Sequence, residues 1–81
     1  MIDRYIKDCL KTIINIETGS SCIDWDKIDT LSFAAICYIN ENKIDIDNDL
    51  YHFLEDNDIR KKSKEYQRSQ IEKIKIAIDQ N

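Results

Sequence analysis

The chain contains no proline and a single glycine, Gly19. Sheet folds turn their hairpins largely on glycine and proline at positions that need special backbone angles, and a chain so poor in both has little to build them with. The expectation is an all-α fold: a small bundle of about four helices. With 81 residues there is room for one hydrophobic core, so residues 1–81 are read as a single helical domain. A domain this small buries only about 60–65% of the surface its unfolded chain exposes, and it more readily presents a binding face than a catalytic cleft.

Apolar periodicity places the helices. Ile2, Tyr5, Ile6, Cys9, Leu10, Ile13 and Ile16 recur at spacings of three and four and predict a first helix over about 3–17. Gly19 follows them, where a left-handed C-cap favours glycine. Asp24 is placed to cap a second helix, with Asp26 in its first turn against the positive end of the dipole. Trp25, Ile28, Leu31, Ala35, Tyr38 and Ile39 make one face of that helix, and Phe33, Ile36 and Cys37 make another. A helix apolar on two sides is expected at the centre of a bundle. The alternative is that its second face binds a protein or a second copy.

Ile44 and Ile46 alternate with Asp45 and Asp47 as a short extended link. Asp47 then caps a third helix over 48–57. Residues advancing by 100° put Leu50, Phe53, Leu54 and Asn57 on one side, with Asn48, Tyr51, His52, Glu55 and Asp56 on the other. Asp58 is read as the cap of a last helix from Ile59 to about Asp79. The first half of that helix has few apolar residues and is expected to lie on the surface or project.

Charge is segregated along the chain. The total is −4, yet residues 17–58 hold eleven acidic and two basic groups, −9, while residues 59–81 hold seven basic and three acidic groups, +4. Such an acidic middle is suited to steering a basic partner. It opposes direct nucleic-acid binding, although Arg60, Lys61, Lys62, Lys64 and Arg68 form a basic run. Those residues are read as a solvated helix face. The longest apolar run, Phe33 to Ile39, is too short to span a bilayer, and the opening Met1-Ile2-Asp3 runs straight into charged periodic sequence. A cytoplasmic location is expected. Cys9, Cys22 and Cys37 form no C-x-x-C pair, and Cys22, in a polar loop, is expected to be the exposed thiol.

Catalytic and metal chemistry find little to build on. Asp45-x-Asp47-x-Asp49 resembles the start of a calcium loop, but Leu50 stands where the tight turn needs glycine and Asp56 where a bidentate glutamate belongs. His52 has Asp49, Glu55 and Asp56 within helical reach, a weak three-ligand set on one short exposed helix. Ser20, Ser21 and Ser32 have no positioned base. No enzyme activity and no cofactor are expected. Tyr51 offers a large rigid contact with a polar tip beside the acids, as interface anchors do.

The run Tyr51-His52-Phe53-Leu54-x-Asp56-x-Asp58-Ile59-Arg60-Lys61-Lys62, continuing to Glu65, Tyr66 and Gln70, resembles small acidic helical immunity proteins encoded beside bacterial polymorphic or contact-dependent toxins. The resemblance covers about a quarter of the chain. It implies a non-enzymatic inhibitor that binds one cognate toxin, often a basic nuclease, and masks its active or substrate-binding surface. The residues expected to face such a toxin are Asp45, Asp49, Tyr51, His52, Glu55, Asp56 and Asp58. The free protein is expected to be a monomer or weak dimer. Alternatives are a phage-type inhibitor of a nucleic-acid-binding defence complex, a homo-oligomeric helical regulator, and a metal-binding switch.

Overall fold

Five helices form in the computed structural model, which describes residues 2–19 and 21–79. They are α1 (Arg4–Thr18), α2 (Trp25–Glu41), α3 (Asn48–Glu55), α4 (Asn57–Lys62) and α5 (Lys64–Asp79). The described residues contain no strand, and helix accounts for 81%. Ser20 lies outside them. The all-α expectation holds, with one helix more than expected.

Aspartate side chains cap three of the helices. Asp3 caps α1, its Oδ1 accepting from the amides of Tyr5 at 2.9 Å and Ile6 at 3.3 Å. Asp24 caps α2 by accepting from the Lys27 amide at 3.1 Å, and Asp47 caps α3 by accepting from the Asp49 amide at 3.0 Å. Each of these bonds satisfies a donor left unpaired in the first helical turn.

Helix ends depart from expectation in two places. Gly19 does not adopt the left-handed conformation: its φ of −89° and ψ of −9° lie in the right-handed region. Its lack of a side chain matters for another reason, because a Cβ there would stand 2.6 Å from the Asn15 carbonyl oxygen. The left-handed residue is instead Lys43, at φ 50°. It lets the Ile44 amide reach back to the Ile39 carbonyl at 3.0 Å, and the turn closes as a Schellman motif after α2.

The last helix is also not continuous. Ser63 is extended (φ −131°, ψ 112°), and its hydroxyl accepts from the Tyr66 amide at 3.2 Å. A serine that caps α5 thereby ends α4. Asp58 lies in the first turn of α4 rather than at its cap, a position held by Asp56 without a side-chain cap bond. Asp58, Ile59, Lys61 and Lys62 of α4 are exposed, as expected of a surface helix, but Arg60 is 1% exposed, and its reading as part of a solvated face is corrected.

α2 and α5 form opposite walls, and each packs against α1, α3 and α4. Between them lie Ile6, Leu10 and Ile13 of α1, Phe53 and Leu54 of α3 and Ile74 of α5, all essentially sealed from water. The radius of gyration is 11.9 Å, close to the roughly 12 Å of a compact chain of this length. α2 is therefore a wall rather than a central helix. Ile28, Ser32, Ala35 and Ile39 face inward, while Phe33 is 70% exposed. Among the described residues no helix is long and apolar enough to cross a membrane.

Candidate functional site

The acidic side of α3 is shaped by its inward face. Leu50, Phe53 and Leu54 bury themselves in the core and so turn Asn48, Asp49, His52 and Glu55 to solvent. His52 Nδ1 lies 3.5 Å from Glu55 Oε1, an exposed i,i+3 pair of small energetic weight. Tyr51 is half-buried and packs partly on the core.

A shallow groove of about 240 Å³ runs between α3 and α5 and brings Asp49, His52 and Asp56 together with Tyr66, Gln70 and Lys73. The other expected residues stand apart from it. Asp45 lines a separate recess at the end of the bundle with Asp3 and Asp47, and Asp58 is exposed on α4. Among the described residues no group of three His, Cys, Asp or Glu side chains is placed to hold a metal ion.

Asp56 does not point freely outward, as the helical projection had it. Its Oδ2 accepts from the Tyr66 hydroxyl at 2.6 Å and from Gln70 Nε2 at 3.0 Å. The hydrogen bond to Asp56 holds the Tyr66 phenol above its ordinary tyrosine range, because ionisation would set two anions against each other. Asp56 therefore shapes the groove more than it offers a free charge.

Behind the groove is a buried polar cluster. Arg60 and Glu17 are 1% and 4% exposed. Arg60 Nη2 lies 2.9 Å from Glu17 Oε2, and its Nε donates to the same carboxylate at 3.0 Å. Nη1 donates to Gln70 Oε1 at 2.8 Å and to the Phe53 carbonyl, one of the acceptors left open at the end of α3. Nη2 also donates to Asn57 Oδ1, which accepts from the Ser32 hydroxyl at 3.3 Å, and Asn57 Nδ2 reaches Asp29 at 3.2 Å. The guanidinium carbon sits 3.8 Å from the centre of the Phe53 ring, a desolvated cation–π contact.

Every helix contributes to this cluster, and among the described residues no buried side-chain nitrogen or oxygen lacks a partner. Gln70 joins it to the groove, accepting from Arg60 and donating to Asp56. Arg60 is thus unavailable to phosphate. Its burial has a signal in the sequence: Leu50, Phe53, Asn57 and Arg60 follow one another at three, four and three residues. Glu17 likewise continues the stripe of Leu10 and Ile13, and Gln70 precedes Ile71 and Ile74.

No protein-family model matches this chain, and no curated protein or solved structure matches it.

Proposed function

We propose that the protein is a non-enzymatic inhibitor of the immunity-protein or antitoxin class, binding a basic protein, in the leading case a nuclease, through the outward side of α3. The observation that carries this reading is the uncompensated charge of that region. Asp45, Asp47, Asp49, Glu55 and Asp58 are all exposed, and none pairs with a lysine or arginine among the described residues. Carboxylates left open in this way raise encounter rates with a cationic surface and stand where substrate phosphates would otherwise sit. Asp49, His52, Glu55 and half-buried Tyr51 carry the contact, with Asp45 at its edge. The cluster beneath holds α3 at the Phe53 carbonyl and ring, and a contact helix anchored in the fold needs less ordering on binding.

The test is capture on the immobilised protein from a lysate of its native host at low salt. The expected result is a basic protein with nuclease activity that is silent while bound and active once salt releases it. Combining Asp49→Asn with Glu55→Lys should weaken that binding about tenfold or more, corresponding to roughly 1.4 kcal/mol. A captured protein whose activity this chain leaves unchanged overturns the reading.

A second reading, a homo-oligomeric helical regulator, draws support from the exposure of Phe33. Sedimentation equilibrium separates the two, because a salt-insensitive dimer belongs to the regulator and a monomer to the inhibitor.

A further inference from the structure

The outward stripe of α2 is the other surface that the fold leaves unexplained. Asp26, Thr30, Phe33, Cys37 and Glu41 follow one another at four, three, four and four residues and share the side opposite Ile28, Ser32, Ala35 and Ile39. Phe33 stands at its middle, 70% exposed, beside exposed Ala34 and half-buried Cys37. The Thr30 hydroxyl is turned back onto the Asp26 carbonyl at 3.0 Å, so its hydrogen bond is already made within the helix. The centre of the stripe is apolar. Both ends are acidic, and neither Asp26 nor Glu41 has a cationic partner among the described residues.

An apolar centre with an aromatic anchor and a charged rim is the anatomy of a protein-binding face. The sign of the rim selects the occupant. Two copies packed α2 against α2 in antiparallel fashion about Phe33 would set Asp26 of each near Glu41 of the other, because seven residues separate Phe33 from Asp26 and eight separate it from Glu41. Like charges directly opposed across an interface repel and count against that pairing. A cationic amphipathic segment meets no such penalty: its apolar stripe covers Phe33 and its lysines or arginines meet the two carboxylates.

We infer that the outward stripe of α2 is a second docking surface for a basic, amphipathic helical segment of a protein partner, with Phe33 as its anchor. The inference rests on the reading that the partner is a basic protein, and it adds a contact distinct from the α3 side.

The test uses two synthetic helical peptides with leucine on one face, one carrying lysine and the other glutamate on the opposite face. Amide shifts of the whole protein are followed by NMR. The lysine peptide should shift residues 26–41 saturably and the glutamate peptide should not. Phe33→Asp should weaken lysine-peptide binding at least about tenfold. Glu41→Lys, which keeps Phe33, should weaken it and raise affinity for the glutamate peptide. Equal binding of both peptides, binding unchanged in Phe33→Asp, or a wild-type dimer that Phe33→Asp dissolves would each overturn the inference. Failure here is separable from failure of the proposed function. A toxin that binds the Phe33→Asp variant normally, but not the Asp49→Asn/Glu55→Lys variant, removes only the α2 surface. Lysine-peptide binding at α2 with no basic protein partner removes only the inhibitor reading.

Discussion

The outward side of α3 and the cluster around Arg60 use the same chemistry to opposite ends. On α3, Asp49 and Glu55 stand in water with no arginine or lysine paired to them. One layer beneath, Glu17 grips a guanidinium that also serves Phe53, Asn57 and Gln70. Water screens the first set, so each charge costs the fold little and remains available to a partner. The second set is out of water, where an unpaired ion is very costly and every donor has to be satisfied. A carboxylate's role in this molecule therefore follows from its depth.

The sharpest way to break the contrast is to remove the buried cation. Arg60→Ala takes the cation from beside buried Glu17, leaving Gln67 as that carboxylate's remaining hydrogen-bond partner, and should cost about 3–5 kcal/mol in urea unfolding, a large part of the stability of a domain this small. A loss below about 1 kcal/mol would mean that water reaches the cluster and that the two regions do not differ in kind.

Next in size is the paired replacement Glu17→Leu with Arg60→Met. It removes both ions together and should be clearly less damaging than Arg60→Ala alone, because no lone charge is left behind. Equal losses in the two proteins would show that the bonds to Phe53, Asn57 and Gln70, and not the ion pair, dominate.

Asp56 lies between the two regions and tests where the boundary falls. Asp56→Asn should cost about 1 kcal/mol and bring the Tyr66 phenol back toward its ordinary value of 10.0, read by ultraviolet difference titration. The direction of the pH effect follows from the raised folded value. The Tyr66–Asp56 bond contributes fully below pH 10 and fades as pH climbs through the higher folded value. The stability difference between the wild type and Tyr66→Phe should thus stay level below pH 10 and shrink above it. A difference flat through that range would place Asp56 with the screened surface acids.

The smallest effect belongs to the surface. Glu55 sits in the last turn of α3, where a negative charge opposes the helix dipole. Glu55→Lys should change stability by no more than about 0.5 kcal/mol, and in the favourable direction. Destabilisation well beyond that would show that the acidic face is structural after all.

Features set by neighbours in the chain were legible in the sequence. The all-α class, the Ile6, Cys9, Leu10 and Ile13 part of the inward stripe of α1, the inward side of α3 and the caps at Asp24 and Asp47 all depend on spacings of a few residues. Tyr5 of the expected stripe is nevertheless exposed, and Ile14 is buried. The exposure of Cys22 and the burial of Cys9 followed from the same patterns. What escaped depends on partners far away or on competing local signals. Arg60 reads as a surface residue because it leads a basic run, yet its partner Glu17 lies 43 residues earlier. Ser63 breaks the last helix by offering its hydroxyl to Tyr66, a choice that the periodicity on either side conceals. The acidic patch was only partly visible. His52 and Glu55 face out as expected, whereas Tyr51 is half-buried against the core and Asp56 is held by Tyr66 and Gln70.

Gln70 ties these regions together in a further sense. Its amide is read from both ends, the oxygen by a buried cation and the nitrogen by the half-buried Asp56. Flipping it would set like against like at both contacts, so only one orientation satisfies the pair. The buried apolar residues that α5 gives the core are all isoleucines, Ile71, Ile74 and Ile78, so polar contacts distinguish one sliding register from the next: Gln70 on Arg60 and Asp56, Tyr66 on Asp56 and Gln67 on Glu17. With Tyr66 and Gln67 beside it, the glutamine serves as one of three indexing pins that tell α5 where along the bundle to stop.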